Sequence, residues 1–212
     1  MRHLIAHSMW LGLAATAITP APGYSQESGP SVEEVIQHFM LANETPDRRR
    51  VVNWVPNIML HPERYSRPFI MKVLDGLEKL AISPDPQQRV STSAVYWIGE
   101  LGSQLNPSGS ADYGVVARLE RIFWAADGLR TAVIWNLSQQ RETRAAAKAL
   151  ETMAALDDAG EWPSSSHAAR TLLGLGAEGR AALIRLHDSG AARNSSTRAL
   201  IADIVTQKVG PP

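Results

Sequence analysis

The chain has no cysteine. Disulfides, thiol nucleophiles, thiolate metal sites and thiol-linked lipid anchors are therefore all excluded. Neither sign of charge is in excess: Lys+Arg and Asp+Glu are both 21, for a net charge of zero. A balanced chain has no global attraction for phosphate backbones or anionic lipid, so nucleic acid is not an expected partner. Aromatic residues make up only 6%, although six of them are tryptophans. No G-x-S-x-G, H-E-x-x-H or P-loop occurs, and no stretch alternates apolar and polar residues with strand-like β-branched content. The longest apolar run, Leu4 to Ile18, is about 15 residues and is interrupted by His7 and Ser8. That falls short of the roughly 20 needed to span a bilayer.

What precedes and follows that run gives it a meaning. Arg2 and His3 supply a positive start, and Thr19-Pro20-Ala21-Pro22-Gly23 supplies a breaker with small residues up to Ser25. Charged, apolar and small-residue regions in that order read as an export signal over 1–25, the alternative being a short amino-terminal anchor. Residues 26–30 form a linker, 31–207 the folded domain and 208–212 a tail. An exported chain without disulfides relies on packing alone, which suits a bacterial periplasm or secreted setting. Once the signal is removed, no integral membrane segment is expected.

Helical periodicity dominates the domain. Ser31 with Glu34 forms a capping box ahead of Val32, Val35, Ile36, Phe39 and Met40. Thr45-Pro46-Asp47 opens a second helix, which Pro56 kinks and Pro62 closes. Phe69, Ile70, Val73, Leu74, Leu77 and Leu80 mark a third, stopped at Ser83-Pro84. Further helices follow from Val90, from Val115 to Phe123, from Leu129, from Glu142 to Leu156, and over about 165–174, 178–188 and 195–207. The reading is ten helices in five antiparallel pairs. One phrase recurs: Ala94-Val95-Tyr96-Trp97-Ile98, Ala132-Val133-Ile134-Trp135, and Ala169-Arg170-Thr171-Leu172-Leu173. Ala94 and Ala169 stand two periods of about 37 residues apart, in the range of two-helix solenoid repeats. Gly99, Gly102 and Gly174 are expected to end their helices in left-handed backbone.

Val90-x-x-x-Ala94-x-x-Trp97-Ile98-Gly99-x-Leu101-Gly102 resembles the second helix of a HEAT repeat, in its short HEAT-like form. Ala169-x-x-Leu172-Leu173-Gly174-Leu175-Gly176, followed by Ala181-Ala182-Leu183-Ile184, repeats the phrase with its successor. The resemblance covers 88–205 well and 31–82 poorly. Serines (Ser91, Ser165, Ser166) stand where a basic residue is usual, and Asn136 and Ser138 replace an apolar residue and a glycine. The family implies an all-α fold, a right-handed α-α superhelix of about five helix pairs, used mainly to bind proteins or peptides. It carries no catalytic residues, although some HEAT-like proteins act as chromophore lyases or are relatives of them.

Candidate chemistry is thin beside that. Gly174-Leu175-Gly176-Ala177-Glu178-Gly179 is a literal G-x-G-x-x-G, but a helix precedes it where a dinucleotide site needs a strand, so it reads as a stop and turn. His3, His7, His38, His61, His167 and His187 are scattered without metal-ligand spacing. Ser164, Ser165 and Ser166 beside His167 read as helix caps, and Asp157 and Asp158 as solvated loop acids. Arg48-Arg49-Arg50 is either a solvated face or a patch for an acidic partner. Trp54 and Trp97 fall on core stripes. Trp135 has two registers: buried, or paired with Tyr96 on an exposed groove where aromatics anchor partners. The expected function is thus a non-catalytic scaffold, without cofactor or metal, contacting a partner through Tyr96, Glu100, Trp135 and Arg170. The alternatives are an enzyme accessory subunit or lyase-like protein, and a structural assembly scaffold.

Overall fold

A computed structural model describes residues 30–44, 58, 61–83, 88–106, 113–140, 143–158 and 163–207. The export-signal region, the Arg48–Arg50 run, Trp54, Pro56 and the tail lie outside the described residues. Among those described there is no strand. The α-helices are α1 (Val32–Glu44), α2 (Arg67–Ile82), α3 (Gln88–Leu105), α4 (Val115–Ala125), α5 (Arg130–Ser138), α6 (Thr143–Ala154), α7 (Ser164–Leu172), α8 (Gly176–Ser189) and α9 (Ser195–Gln207). Single 3-10 turns lead into α5 (Asp127–Leu129) and α8 (Leu173–Leu175).

Local chemistry sets several of the boundaries. At α1, Ser31 Oγ accepts from Glu34 N at 3.1 Å and Glu34 Oε2 accepts from Ser31 N at 2.7 Å, the reciprocal pair of a capping box. Ser66 caps α2 by accepting from Phe69 N at 3.4 Å, with proline in the first turn. Gly190 ends α8 at φ 61°, a left-handed conformation in which a Cβ would be strained.

The expectation for Gly99 and Gly102 is corrected. The helix does not end at them but runs on to Leu105, and neither has a positive φ. They are contact points instead. A Cβ on Gly99 would meet Asn136 Oδ1 at 1.9 Å, and one on Gly102 would meet Gln140 Oε1 and Val115 Cγ1 at 2.6 Å. Gly174 also lacks a positive φ and sits in the turn before α8.

Hairpin partners pack together: α2 on α3, α4 on α5, α6 on α7, α8 on α9. Each helix also touches the helix two along. One row runs α2, α4, α6, α8 and the other α3, α5, α7, α9, with α1 against α2 and α3. A single apolar cluster extends from Val35 and Phe39 through Leu74, Ile98, Leu119, Ile134 and Leu150 to Leu183 and Ile201. Small residues (Ala94, Ala132, Ala168, Ala169) occupy the second row's buried stripe and let its helices lie close.

The first row is fastened by ions. Buried Arg118 of α4 reaches Asp75 of α2 at 2.6 Å and Glu78 at 3.4 Å. Arg121 grips Glu78 with two bonds of 2.6 and 2.9 Å, and its pKa is raised chiefly by that hydrogen bonding. Further along, Arg185 of α8 holds Glu151 of α6 in the same two-bonded way at 2.9 and 2.6 Å.

Candidate functional site

The buried stripe of α3 is Val90, Ala94, Val95, Ile98 and Leu101. At 100° per residue, Tyr96 and Glu100 fall on the opposite side, and both are exposed. On α5 the buried residues are Ala132, Val133, Ile134, Asn136 and Leu137, which turns Trp135 outward at 49% exposure. The exposed register therefore holds for Trp135. Its ring meets that of Tyr96 at 5.3 Å with the planes inclined 68°, the edge-to-face arrangement aromatic quadrupoles favour. Trp97, read as core, is half-buried and lies edge-on to Phe39 of α1 at 5.4 Å.

Two polar bonds cross to α3 from the residues that follow α5, and two more brace the α5 segment itself. Gln140 Nε2 donates to Gly99 O and to Asn136 O, both at 3.0 Å. Ser103 Oγ donates to Gln139 O at 3.0 Å, and Asn136 Nδ2 to Ala132 O at 2.8 Å. Buried Asn136 and Gln140 stand against glycines, so the two helices come close enough for rings at their rims to touch. These fastening residues were missed in the sequence. Gly99 and Gly102, three apart on a buried helix face, were the available signal of close approach.

Glu100 accepts from Gln104 Nε2 at 2.8 Å, a neutral donor. Arg170 is exposed on α7, opposite Ala168, Ala169 and Leu172. Neither Glu100 nor Arg170 forms an ion pair with a described residue. Partial burial, and secondly the charge of Arg170, lower the pKa of the neighbouring His167. The structure thus brings Tyr96 and Trp135 into contact, and sets Glu100 on the helix to one side of Trp135 and Arg170 on the helix to the other.

Two expectations are corrected nearby. Ser164, Ser165 and Ser166 do not cap α7; its cap residue is Pro163, without a side-chain bond. Asp158 is not simply solvated. It reaches the start of α7, accepting from Ser165 N at 3.2 Å and Ser165 Oγ at 2.5 Å, where a carboxylate faces the positive helix end. Ser165 and Thr197, both fully buried, bond at 2.7 Å, and Ser166 reaches Thr197 at the same distance. Ser165 donates to Asp158, and Thr197 joins Ser165 and Ser166 while also reaching Asn194 Oδ1 at 3.3 Å, so the three hydroxyls form one connected network. Ser165 is buried and its hydroxyl is committed to Asp158, so it ties the start of α7 to the end of the preceding hairpin segment and to α9. The glycine motif lies between α7 and α8, and a Cβ on Gly179 would strike Leu172 O at 1.8 Å. Its glycines serve a tight turn, with Gly176 at φ 63°.

An open groove of about 760 Å³ lies between α1 and α2, lined among others by Met40, Phe69, Lys72, Asp75 and Lys79. Asp75 is already engaged by Arg118. Among the described residues, no group of three histidine or acidic side chains gathers as a metal would require, and no helix is long and apolar enough to cross a membrane. Comparison with protein-family models, with curated proteins and with solved structures gives no match.

Proposed function

We propose that this chain is a non-catalytic helical-repeat scaffold of the HEAT-like kind, exported, that binds a protein or peptide through the concave face formed by its second helices, α3, α5 and α7. Its two rows of helices would stack as a right-handed superhelix. The order of contacts, neighbour and next-but-one along both rows, supports that reading. The carrying observation is the exposed edge-to-face pair of Tyr96 and Trp135. Large aromatics left in water on a rigid surface are the residues that anchor partners. The charged, apolar and small-residue order of 1–25 supports export.

Photocrosslinking in the producing cell tests this, with the reactive residue placed at Tyr96 or Trp135 and, as control, at Trp124 of the first row. The reading expects a discrete adduct from the first two positions only. Tyr96→Ala and Trp135→Ala should each cost no more than about 1.5 kcal/mol, the worth of the ring contact they share. Equal labelling from Trp124, or a loss above about 3 kcal/mol in the alanine variants, as for a core aromatic, would overturn it. The groove beside α1 favours the enzyme-accessory reading as a second choice, and adducts confined to Lys72 and Lys79 would support it.

A further inference from the structure

The charges flanking the aromatic pair are ordered. Glu100 stands on α3, Trp135 on α5 and Arg170 on α7, consecutive helices of one row. All are exposed, and neither charge is neutralised by a described residue. The first row also exposes Lys72, Lys79 and Lys148 without ion pairs to described residues, but several of its arginines are engaged. There Arg118, Arg121 and Arg185 are matched to Asp75, Glu78 and Glu151. A carboxylate, an aromatic platform and a guanidinium on three successive helices form a surface with polarity.

We propose that the partner docks here as an extended segment with a basic residue toward one end and an acidic residue toward the other. The basic side chain lies between Glu100 and the Tyr96–Trp135 rings, where carboxylate and π-face both attract a cation. The acidic side chain meets Arg170, and an apolar residue between them covers Trp135. Packed helices lie about 8–10 Å apart, so two steps along the row span about 16–20 Å. An extended chain advances about 3.3 Å per residue, which sets the two charges about five to six residues apart. This inference rests on the reading of the face as a binding surface; what it adds is the partner's charge pattern, spacing and extended form.

The test uses the full chain and end-blocked Gly/Ser peptides as probes, followed by fluorescence anisotropy. The first probe carries arginine and glutamate about six positions apart with leucine midway. A double-acid probe has glutamate at both places, a double-base probe has arginine at both, and a short probe halves the spacing. Wild type should bind the mixed probe about fivefold more tightly than the others, the upper range for an exposed ion pair. Glu100→Arg should reverse the preference toward the double-acid probe, and Arg170→Glu toward the double-base probe. Trp135→Ala should weaken all of them, with circular dichroism confirming each variant folded.

If Trp135→Ala weakens binding but neither charge reversal redirects it, the charge pattern is wrong and the docking face survives. If the mixed probe binds Trp135→Ala as tightly as wild type, the face itself fails. No saturable binding of the mixed probe up to about 1 mM also overturns the proposal.

Discussion

Replacing Gly99 with alanine probes the close approach on which the aromatic pair depends. The new Cβ would stand 1.9 Å from Asn136 Oδ1, 2.6 Å from its Cγ and 2.9 Å from its Cβ. The amide oxygen alone could swing away. The Cβ of Asn136 can retreat only with α5, because the residue is buried and its Nδ2 is bonded to Ala132 O. Overpacking a tight core costs about 1–3 kcal/mol, and a clash with three atoms belongs near 3. Alanine's better helix propensity offsets about 1 kcal/mol. The net loss is about 2 kcal/mol. For a chain of this length that lowers Tm by about 4–8 °C in scanning calorimetry. Gly174→Ala is the control: nothing lies within 4 Å of its Cβ position and its backbone is ordinary, so stability should hold within about 0.5 kcal/mol. Removing the obstruction as well, in Gly99→Ala with Asn136→Ala, should leave the protein more stable than the sum of single effects. A Gly99→Ala protein that melts with wild type, or a strictly additive double variant, would refute the reasoning.

Further outcomes follow from other contacts. Arg118→Ala should cost about 3 kcal/mol in urea denaturation, the low end for breaking a buried pair because Glu78 keeps Arg121, whereas exposed Arg121→Ala should cost under about 1. Ser165→Ala strips Asp158 and Thr197 of a partner and should cost about 1–3 kcal/mol by the same assay. Folding lowers the pKa of His167 below 6.5, so the unfolded chain takes up that proton first as the solution is acidified. Its effect on stability is nil well above pH 6.5, grows unfavourable as pH falls through 6.5 toward the depressed folded value, and levels off below it. His167→Gln should flatten that part of the urea-midpoint profile; an unchanged profile would remove His167 from the account.

Much of the fold was legible because burial writes a 3.6-residue period into the chain. The stripes of Ile70, Val73, Leu74 and Leu77, and of Leu119, Ile122 and Phe123, are buried as read. The Ser31–Glu34 cap was legible because all its parts are local. Trp135 was not decidable from its own helix, since a 100° rotation exchanges core and rim. What settles it is the side of α5 that packs on α3, a tertiary fact. Gly99 and Gly102 misled for a related reason: glycine marks both helix ends and close contacts, and only the partner helix tells which. Asp158 and the serines of α7 were misread because the acid that satisfies the helix start lies outside the usual capping window.

The network of hydroxyls that joins α7 to α9 bears on the register of α9. Among similar packed hairpins, a helix can slide by one turn and still bury apolar side chains. Here a one-turn slip would break the two bonds of Thr197 to Ser165 and Ser166, at about 0.5–1.5 kcal/mol each, while Ser165 keeps Asp158 and Thr197 keeps Asn194. At about 1.4 kcal/mol per tenfold, the misaligned forms are held to about a sixth or less of the folded population. The helix α9 thus carries its own address, written in three hydroxyl groups gathered beside Asp158.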